Sequence, residues 1–371
     1  ICLSAKIRTL SSINKRIKSI MAYTTINKSS LFQNTKLYAG NATNNATVTG
    51  VGFQSDFTWL KARSGSQSTQ PNWVFDSIRG ATKPLVTNSS AAEETEAGSL
   101  KSWQSNGFTL GTNNEVNGSS TQYASWNWKA GTSVSGNTTG SGTYKSYSGS
   151  VNTTSGFSII KYAGNGASGH TIPHRLSAIP KMIIVKRLNG SEDWGVYHKS
   201  LGASKYINLN TTNPVVSDTS RWNGVEPTSS VFSIKTHASV NANNSTYVAY
   251  CFAEKQGYSK VGSYTGNGNA SGAFVYTGFK PAWTIIKRTD SADNWVIDDV
   301  KRSPANTMKN TLYANLNNAE YTSNAYGIDF LSNGFKIRNT DGNYNSSGGN
   351  YIYYAVGQSI VGTNNVPNNA R

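Results

Sequence analysis

Two of the four histidines lie at a spacing that can bind a metal ion. His170 and His174 are four residues apart in the segment SGHTIPHRL. Histidines at this spacing bind one ion when they share a turn of helix. Gly169 and Pro173 oppose a helix here, and no third ligand follows nearby. We therefore predict no metal site, and the remaining two histidines are isolated in the sequence.

Paired carboxylates, which would indicate a glycosidase, are the second possibility. Acidic residues are few, and the EETE run at 93–96 is typical of a solvated loop. Asp298 and Asp299 are adjacent, so on a strand their side chains point to opposite faces. Two segments, 290–295 and 339–345, have oxygen ligands for a weak calcium ion, but turn chemistry explains both.

Nucleophile and phosphate motifs are absent. GSGTY and GASGH do not match the nucleophile elbow G-x-S-x-G. The glycine-rich GNGNASG at 266–272 lacks the Lys-Ser/Thr pair and the helix of a phosphate loop. The sequence thus predicts a protein that is not an enzyme and that needs no cofactor.

Glycan binding is the chemistry that the composition permits. Lectin-type sites combine an aromatic platform with polar groups that bind sugar hydroxyls. Three Asn-rich aromatic segments, 219–227, 340–351 and 118–126, supply such groups. The candidates are Trp222, Tyr344 and Trp126, and Trp222 leads because the rest of the chain has no obvious equivalent.

The elements that would position these residues occur three times. Four landmarks recur at steps of 121–124 and then 101–104 residues, which is the length of a small domain. They are the sets Tyr38, Tyr162 and Tyr264; Trp73, Trp194 and Trp295; Phe108, Phe232 and Phe335; and Tyr123, Tyr247 and Tyr351. A side chain that recurs in every copy is expected to fill a core, so the three tryptophans are predicted to be buried.

Short aromatic and β-branched runs between turn residues predict three tandem β-sandwich modules of jelly-roll, lectin-like type. Each module is expected to have its own interior. The linker is either a flexible tether or a hairpin that carries Tyr144 and Tyr147. The predicted segments are a non-native or upstream segment (1–20), a lead-in (21–34), module 1 (35–131), a Gly/Ser/Thr linker (132–156), module 2 (157–257), module 3 (258–360) and a polar tail (361–371).

Charge and cysteine content narrow the class of protein further. The net charge is +16, but no basic run or RNA-binding motif accompanies it, so we expect no specific nucleic-acid partner. Cys2 and Cys251 cannot form a disulfide framework. No stretch has the apolar length for membrane insertion. Residues 1–20 lack the core of a secretory signal, and Met21 is the expected natural start.

Several segments resemble virion structural proteins of marine tailed phages, including cyanophages. The resemblance covers roughly residues 21–371 and is strongest for tail or fibre-like proteins. The segments are GFQSDFTWLKARS, NWVFDSIRGATKPL, IPKMIIVKRLNGSEDWGVYHKSLG, SSVFSIKTHASVNANNSTYVAYCFAEKQGYSKVGSYTGNG and FVYTGFKPAWTIIKRTDSADNW. It implies repeated concanavalin-A-like modules and an oligomer on the particle, and it carries no catalytic residues.

The resulting hypothesis is a phage virion structural protein: a tail fibre, knob or capsid-attached appendage that contacts host-surface glycans. Its expected location is the virion, assembled in the host cytoplasm. Its expected partners are itself, as a homo-oligomer for which a trimer is one form, other virion proteins and a host polysaccharide. The alternative is a secreted or cell-surface carbohydrate-binding adhesin, and a depolymerase domain is the third reading.

Overall fold

The structure is a computed structural model that describes residues 24–360. The upstream piece 1–20, Met21, Cys2 and the tail 361–371 lie outside the described residues. Within the described range the chain is all-β, as predicted: twenty-eight strands pair antiparallel in six sheets. Short 3-10 turns at Ser29–Leu31 and Asn324–Tyr326 and three one-turn helices complete it.

The first module consists of a large sheet packed against a small one. Its elements are β1 (Gln33–Ala39), β2 (Ala46–Thr49), β3 (Phe57–Gly65), β4 (Trp73–Asp76), β5 (Leu85–Val86), β6 (Leu100–Gln104), β7 (Gly107–Leu110), α1 (Asn114–Asn117) and β8 (Thr121–Trp128). The large sheet has the order β1-β8-β3-β4-β5, and the small sheet β2-β7-β6. Gly107 at the β6–β7 turn has a φ of 151°, and a Cβ there would lie 1.9 Å from the Val48 carbonyl oxygen.

The second module repeats this plan and adds strands at one edge. Its elements are β9 (Thr132–Asn137), β10 (Thr139–Gly140), β11 (Ser146–Asn152), β12 (Phe157–Ala163), β13 (His170–Pro173), β14 (Pro180–Arg187), β15 (Gly195–His198), β16 (Lys205–Asn208), β17 (Val216–Ser217), β18 (Val231–Ile234), α2 (Ala238–Asn241) and β19 (Thr246–Ala253). The large sheet has the order β17-β16-β15-β14-β19-β12-β11-β9, and the small sheet β10-β13-β18.

The third module lacks the added strands. Its elements are β20 (Ser259–Thr265), β21 (Phe274–Tyr276), β22 (Pro281–Arg288), β23 (Trp295–Asp299), β24 (Asn310–Tyr313), β25 (Tyr321–Thr322), β26 (Ile328–Leu331), β27 (Gly334–Ile337), α3 (Gly342–Asn345) and β28 (Asn350–Gly357). The large sheet has the order β20-β28-β22-β23-β24-β25, and the small sheet β21-β27-β26.

The segment 132–156, expected as a linker, is part of module 2. Strand β11 pairs with both β12 and β9, and β10 pairs with β13, so the segment extends both sheets. The hairpin alternative is therefore correct and the flexible tether is not. Tyr147 is buried in the core of module 2, whereas Tyr144 is 59% exposed.

A stacked tyrosine pair recurs in each module and explains the repeated sequence YAGN and its variant YTGN. The first tyrosine of each pair donates its hydroxyl to a carbonyl within the one-turn helix. The second donates to a carbonyl of the same helix and accepts from a backbone N–H just after it. The pairs are Tyr38–Tyr123, Tyr162–Tyr247 and Tyr264–Tyr351, with ring centroids 4.8–5.2 Å apart. These side chains hold the sheets to the helical turns, so their recurrence has a structural cause.

The three large sheets pack on one another around a common core. Alternation along each strand sends one set of side chains into a module's own interior and the other set into this shared core. Trp59 of module 1, Tyr250 of module 2 and Trp283 of module 3 belong to the same buried cluster. Each module also keeps a separate cluster beneath its small sheet. The expectation of three separate interiors was incomplete, because the largest core cluster is shared by all three modules.

The three repeated tryptophans are buried, as predicted, but they are not structurally equivalent. Trp73 pairs with Leu60 and faces the interior of module 1, whereas Trp295 pairs with Lys287 and faces the shared core. Trp194 also faces the shared core. Register therefore makes Asn72, one residue earlier, the counterpart of the other two. Aligning Trp73 with Trp194 and Trp295 was therefore wrong by one residue, and on a strand a shift of one residue moves a side chain to the opposite face.

Three buried lysines at equivalent positions of β3, β14 and β22 bind the next module around the ring. Lys61 donates from Nζ to the Asn317 carbonyl at 3.0 Å, Lys186 to the Ser90 carbonyl at 3.0 Å, and Lys287 to the Thr212 carbonyl at 2.9 Å. Module 1 thus contacts module 3, module 2 contacts module 1, and module 3 contacts module 2. This cyclic order gives one chain the arrangement of a trimer.

Other hydrogen bonds repeat the same cycle. Backbone N–H groups of Glu93, Val215 and Glu320 each donate across a module boundary at 2.7–2.9 Å; the acceptors are the carbonyls of Leu188, Thr289 and Arg63. The Ile360 N–H donates to the Asn27 carbonyl at 2.9 Å, which brings the two ends of the described chain together. The ring is closed at all three boundaries.

Candidate functional site

Trp222, the leading glycan candidate, lies inside module 2. It is 2% exposed, and its ring packs edge-to-face on Tyr197 with centroids 6.0 Å apart. A sugar stacks on an aromatic face only when solvent can reach that face. The burial of Trp222 contradicts its assignment as a platform and makes it a core residue.

Tyr344 and Trp126 are buried as well. The Tyr344 hydroxyl lies 3.0 Å from the Asp298 carboxylate and 2.8 Å from the Thr311 hydroxyl, inside module 3. The Trp126 indole N–H donates to Asp299 at 2.9 Å in the shared core. Both residues were predicted from polar, Asn-rich segments. Trp126 lies on β8 and Tyr344 on α3, and each element directs the ring into the interior.

Asp299 and Asp76 anchor neighbouring modules and have no open face for a substrate. Asp299 pairs with Arg302 at 2.6 Å and accepts from Trp126 of module 1. Asp76 pairs with Arg79 at 2.5 Å and accepts from the Tyr250 hydroxyl of module 2 at 2.7 Å. All four ion-pair side chains are fully buried. Removing one partner of such a pair would leave an uncompensated buried charge.

His198 occupies the equivalent position in module 2. Its Nε2 lies 3.2 Å from the Tyr353 carbonyl oxygen of module 3. Burial lowers the pKa of His198 to about 4, so the ring is neutral at pH 7. The side chain that contacts the neighbouring module at this position is thus charged in modules 1 and 3 and neutral in module 2.

Asp298 and Asp299 point to opposite sides of β23, as their adjacency predicted. Asp298 faces the interior of module 3, where burial raises its pKa to about 7. The Tyr344 and Thr311 hydroxyls are its hydrogen-bonding partners. A buried acid of this kind can serve catalysis when it opens on a cleft, but Asp298 is 2% exposed.

The calcium candidates have other partners. Asp290 and Asp293 pair with Arg288 at 2.8 and 3.2 Å. Asp341 caps α3 by accepting from the Asn343 N–H at 2.8 Å. Among residues 24–360 no group of three or more His, Cys, Asp or Glu side chains could hold a metal ion. Both segments are therefore explained by ion pairing and helix capping.

The exposed aromatic residues of β21 form the best candidate contact surface. Phe274 is 47% and Tyr276 62% exposed, while Val275 between them is buried. Both rings therefore stand on the outer face of the small sheet of module 3, about 6.5–7 Å apart along the strand. We call this pair the aromatic ledge.

Polar groups lie beside the ledge on the neighbouring strands. Lys336 pairs in register with Phe274 on one side and Asp329 on the other. Arg338 forms an ion pair with Asp329 at 3.2 Å. Opposite Tyr276 lies Gly334, where a Cβ would come within 3.1 Å of the Phe274 ring. The ledge thus combines two flat apolar rings with charged hydrogen-bonding groups.

Only module 3 carries aromatic residues at these positions. By register Phe274 and Tyr276 correspond to Thr47 and Thr49 in module 1. In module 2 the corresponding residues are Thr171 and Pro173 of β13, and β10 pairs with the edge of that strand. Sequence reasoning missed the ledge because it searched loops. Comparison of the repeats would have found it, since two threonines in one copy correspond to two aromatic residues in another.

The fold defines a class: an antiparallel β-protein of three sandwich modules closed around one aromatic core. Within residues 24–360 no helix is long and apolar enough to cross a membrane. The chain belongs to the family described as "Domain of unknown function (DUF7483)", whose model matches residues 28–359. No curated protein and no solved structure gave a significant match.

Proposed function

We propose that this chain is a virion structural protein, a tail fibre, knob or capsid-attached appendage, that contacts host-surface glycans. The observation that carries the proposal is the cyclic contact among the modules, which gives one polypeptide a three-fold ring. A ring of this form suits the axis of a three-fold fibre or appendage. The motifs that resemble phage tail proteins support the same function.

The aromatic ledge is the proposed contact with sugars. Phe274 and Tyr276 are large, exposed and on one face of an edge strand, although burying them would be favourable. Exposed aromatic surface on a rigid sheet is typical of a binding surface. The polar groups of Lys336 and Asp329 would bind the sugar hydroxyls.

The buried polar groups support a structural role over an enzymatic one. Asp76 and Asp299 hold neighbouring modules together, Asp341 caps a helix and Asp290 pairs with an arginine. These four carboxylates have structural partners, as expected in a scaffold. We accordingly propose that the chain acts by binding and assembly without a cofactor.

Purified particles provide the test. Antibody raised against residues 24–360 should label virions in electron micrographs, and the recombinant chain should bind host cells and compete with infection. Light scattering would report whether one chain or several form the assembled unit. Absence of the protein from purified particles, together with secretion by an uninfected cell, would replace this proposal with the cell-surface adhesin, for which the ledge would serve equally.

A further inference from the structure

The added hairpin of module 2 creates a cleft that modules 1 and 3 do not have. Its volume is about 470 Å³, within the range of small-molecule sites. Strands β9 and β10 form one wall, and the ends of β13 and β18 form the other. We call it the hairpin cleft. Its polar lining comprises the side chains of Asn137, Thr139, Arg175, Ser177, Ser229 and Ser230.

Arg175 is the one charged residue of the hairpin cleft. Its Nε donates to the Tyr147 hydroxyl at 2.6 Å, and its guanidinium carbon lies 5.6 Å from the centre of the Tyr147 ring. Tyr147 is buried in β11, so it positions the guanidinium from behind. The two Nη groups make no hydrogen bond or ion pair with any residue in 24–360. They therefore remain available to an incoming anion.

The rest of the lining presents unused hydrogen-bonding groups. Within residues 24–360 the side chains of Asn137, Ser177, Ser229 and Ser230 form no hydrogen bond, and no carboxylate lines the cleft. Arg175 and Ser177 also hold left-handed backbone conformations, with φ of 59° and 53°. Such residues persist only where the surrounding structure imposes them. The loop that presents the guanidinium is thus held in one shape.

We propose that the hairpin cleft binds a sugar residue that bears a carboxylate, of the uronic acid kind, within a surface polysaccharide. The Nη pair of Arg175 matches the two carboxylate oxygens in a bidentate pair. The hydroxyl and amide groups of the lining bind the ring hydroxyls. The inference rests on the proposed glycan contact and names its chemical class.

Calorimetric titration of the full chain with three ligands tests the inference. A galacturonic acid trimer should bind at least tenfold more tightly than a galactose trimer, and its affinity should fall as salt rises. The third ligand is a sulfated galactose trimer. Tighter binding of the sulfated or the neutral trimer than of the galacturonic acid trimer would overturn the carboxylate assignment, as would no binding of any.

Two variants locate the site. Arg175→Gln should lose at least tenfold in affinity for the acidic trimer, whereas Arg187→Gln, the same charge change elsewhere in module 2, should not. Arg175→Gln could also loosen the hairpin, so Asn137→Asp provides a second test. Asn137 is exposed, and a carboxylate there should repel the acidic trimer without changing the melting temperature. Unchanged affinity in both variants would overturn the assignment.

The outcome is separable from the proposed function. If cell binding depends on the aromatic ledge but shows no preference for acidic sugars, this inference fails and the glycan contact stands. If the chain neither labels particles nor binds cells, the proposed function itself fails.

Discussion

The Lys186 ammonium donates a hydrogen bond of 3.0 Å to the Ser90 carbonyl, and so joins the central strand of one module to a loop of the preceding one. The same contact recurs at the other two boundaries through Lys61 and Lys287. A buried ammonium costs free energy unless acceptors surround it. The same lysine contact therefore crosses all three boundaries of the ring.

Trp194→Ala should lower the free energy of unfolding by roughly 3–5 kcal/mol, as expected when a large buried aromatic side chain is removed. The substitution also removes the indole bonds to the Val86 and Ser89 carbonyls of module 1. Urea unfolding followed by fluorescence or circular dichroism measures the change. Tyr144→Ala, at an exposed site, should stay within about 0.5 kcal/mol of the parent. Equal stability of the two variants would contradict the burial of Trp194.

Thermal unfolding should be a single cooperative transition, because the shared core makes each module depend on the other two. Differential scanning calorimetry should give a van't Hoff enthalpy close to the calorimetric enthalpy. A fragment of residues 132–257 should not fold alone, since it would expose its share of the common core. Three separable transitions, or a stable isolated fragment, would show that the modules are independent.

Lys61→Met should remove part of the rise in stability between about pH 7 and pH 10. Burial lowers the pKa of Lys61 to about 7, whereas in the unfolded chain it is near 10.4. In this interval the unfolded state binds more protons, so the free energy of unfolding increases with pH. Urea titrations at pH 7, 8 and 9 would show a smaller slope for the variant. Parallel slopes for the two proteins would mean that Lys61 keeps its proton throughout.

Asp298→Asn should show the opposite dependence. Burial raises the pKa of Asp298 to about 7, so between about pH 4 and pH 7 the folded state binds the extra proton. The contribution of Asp298 to stability is therefore present at low pH and lost as pH rises through 7. The stability of the parent relative to the variant should fall from pH 5 to pH 8. A difference that stays constant from pH 5 to pH 8 would show that the Asp298 pKa is not raised.

Phe274→Ala combined with Tyr276→Ala should abolish most binding to host cells while leaving the melting temperature unchanged. A sugar that stacks on an exposed ring gains contact area, and the ring does not support the core. Flow cytometry of labelled protein on host cells measures the loss. The matched control is Thr47→Ala combined with Thr49→Ala, which changes the corresponding strand of module 1. Full binding by the ledge variant would remove Phe274 and Tyr276 as the contact.

The fold class and the triplication could be predicted from the sequence, because alternation of apolar residues and the recurrence of landmarks such as Tyr38 and Tyr162 are local or periodic signals. The shared core could not. Whether the second face of a strand meets solvent, its own module or another module depends on packing between distant segments. The offset at Trp73 shows the same limit, since one residue of register decides which core a side chain fills.

The candidate site was predicted less well, for a physical reason. Asn-rich aromatic segments occur both in solvent-exposed binding loops and in loops whose aromatic side chains enter the core. Trp222 and Tyr344 were therefore predicted to be exposed, whereas both are buried. The ledge residues Phe274 and Tyr276 lie on a strand, and the residues at the same positions in module 1 are threonines. The cleft at Arg175 depends on a hairpin whose pairing partner could not be assigned from composition.

Because the three modules are joined in one chain, the sequence of each can change without the same change in the other two. In an assembly of identical chains every substitution appears three times, so a change tolerated on one lobe must be tolerated on all. Here the three modules are parts of one polypeptide, so a single mutation alters one surface in three. The outer surfaces of the modules can then differ while the contacts between the modules stay alike.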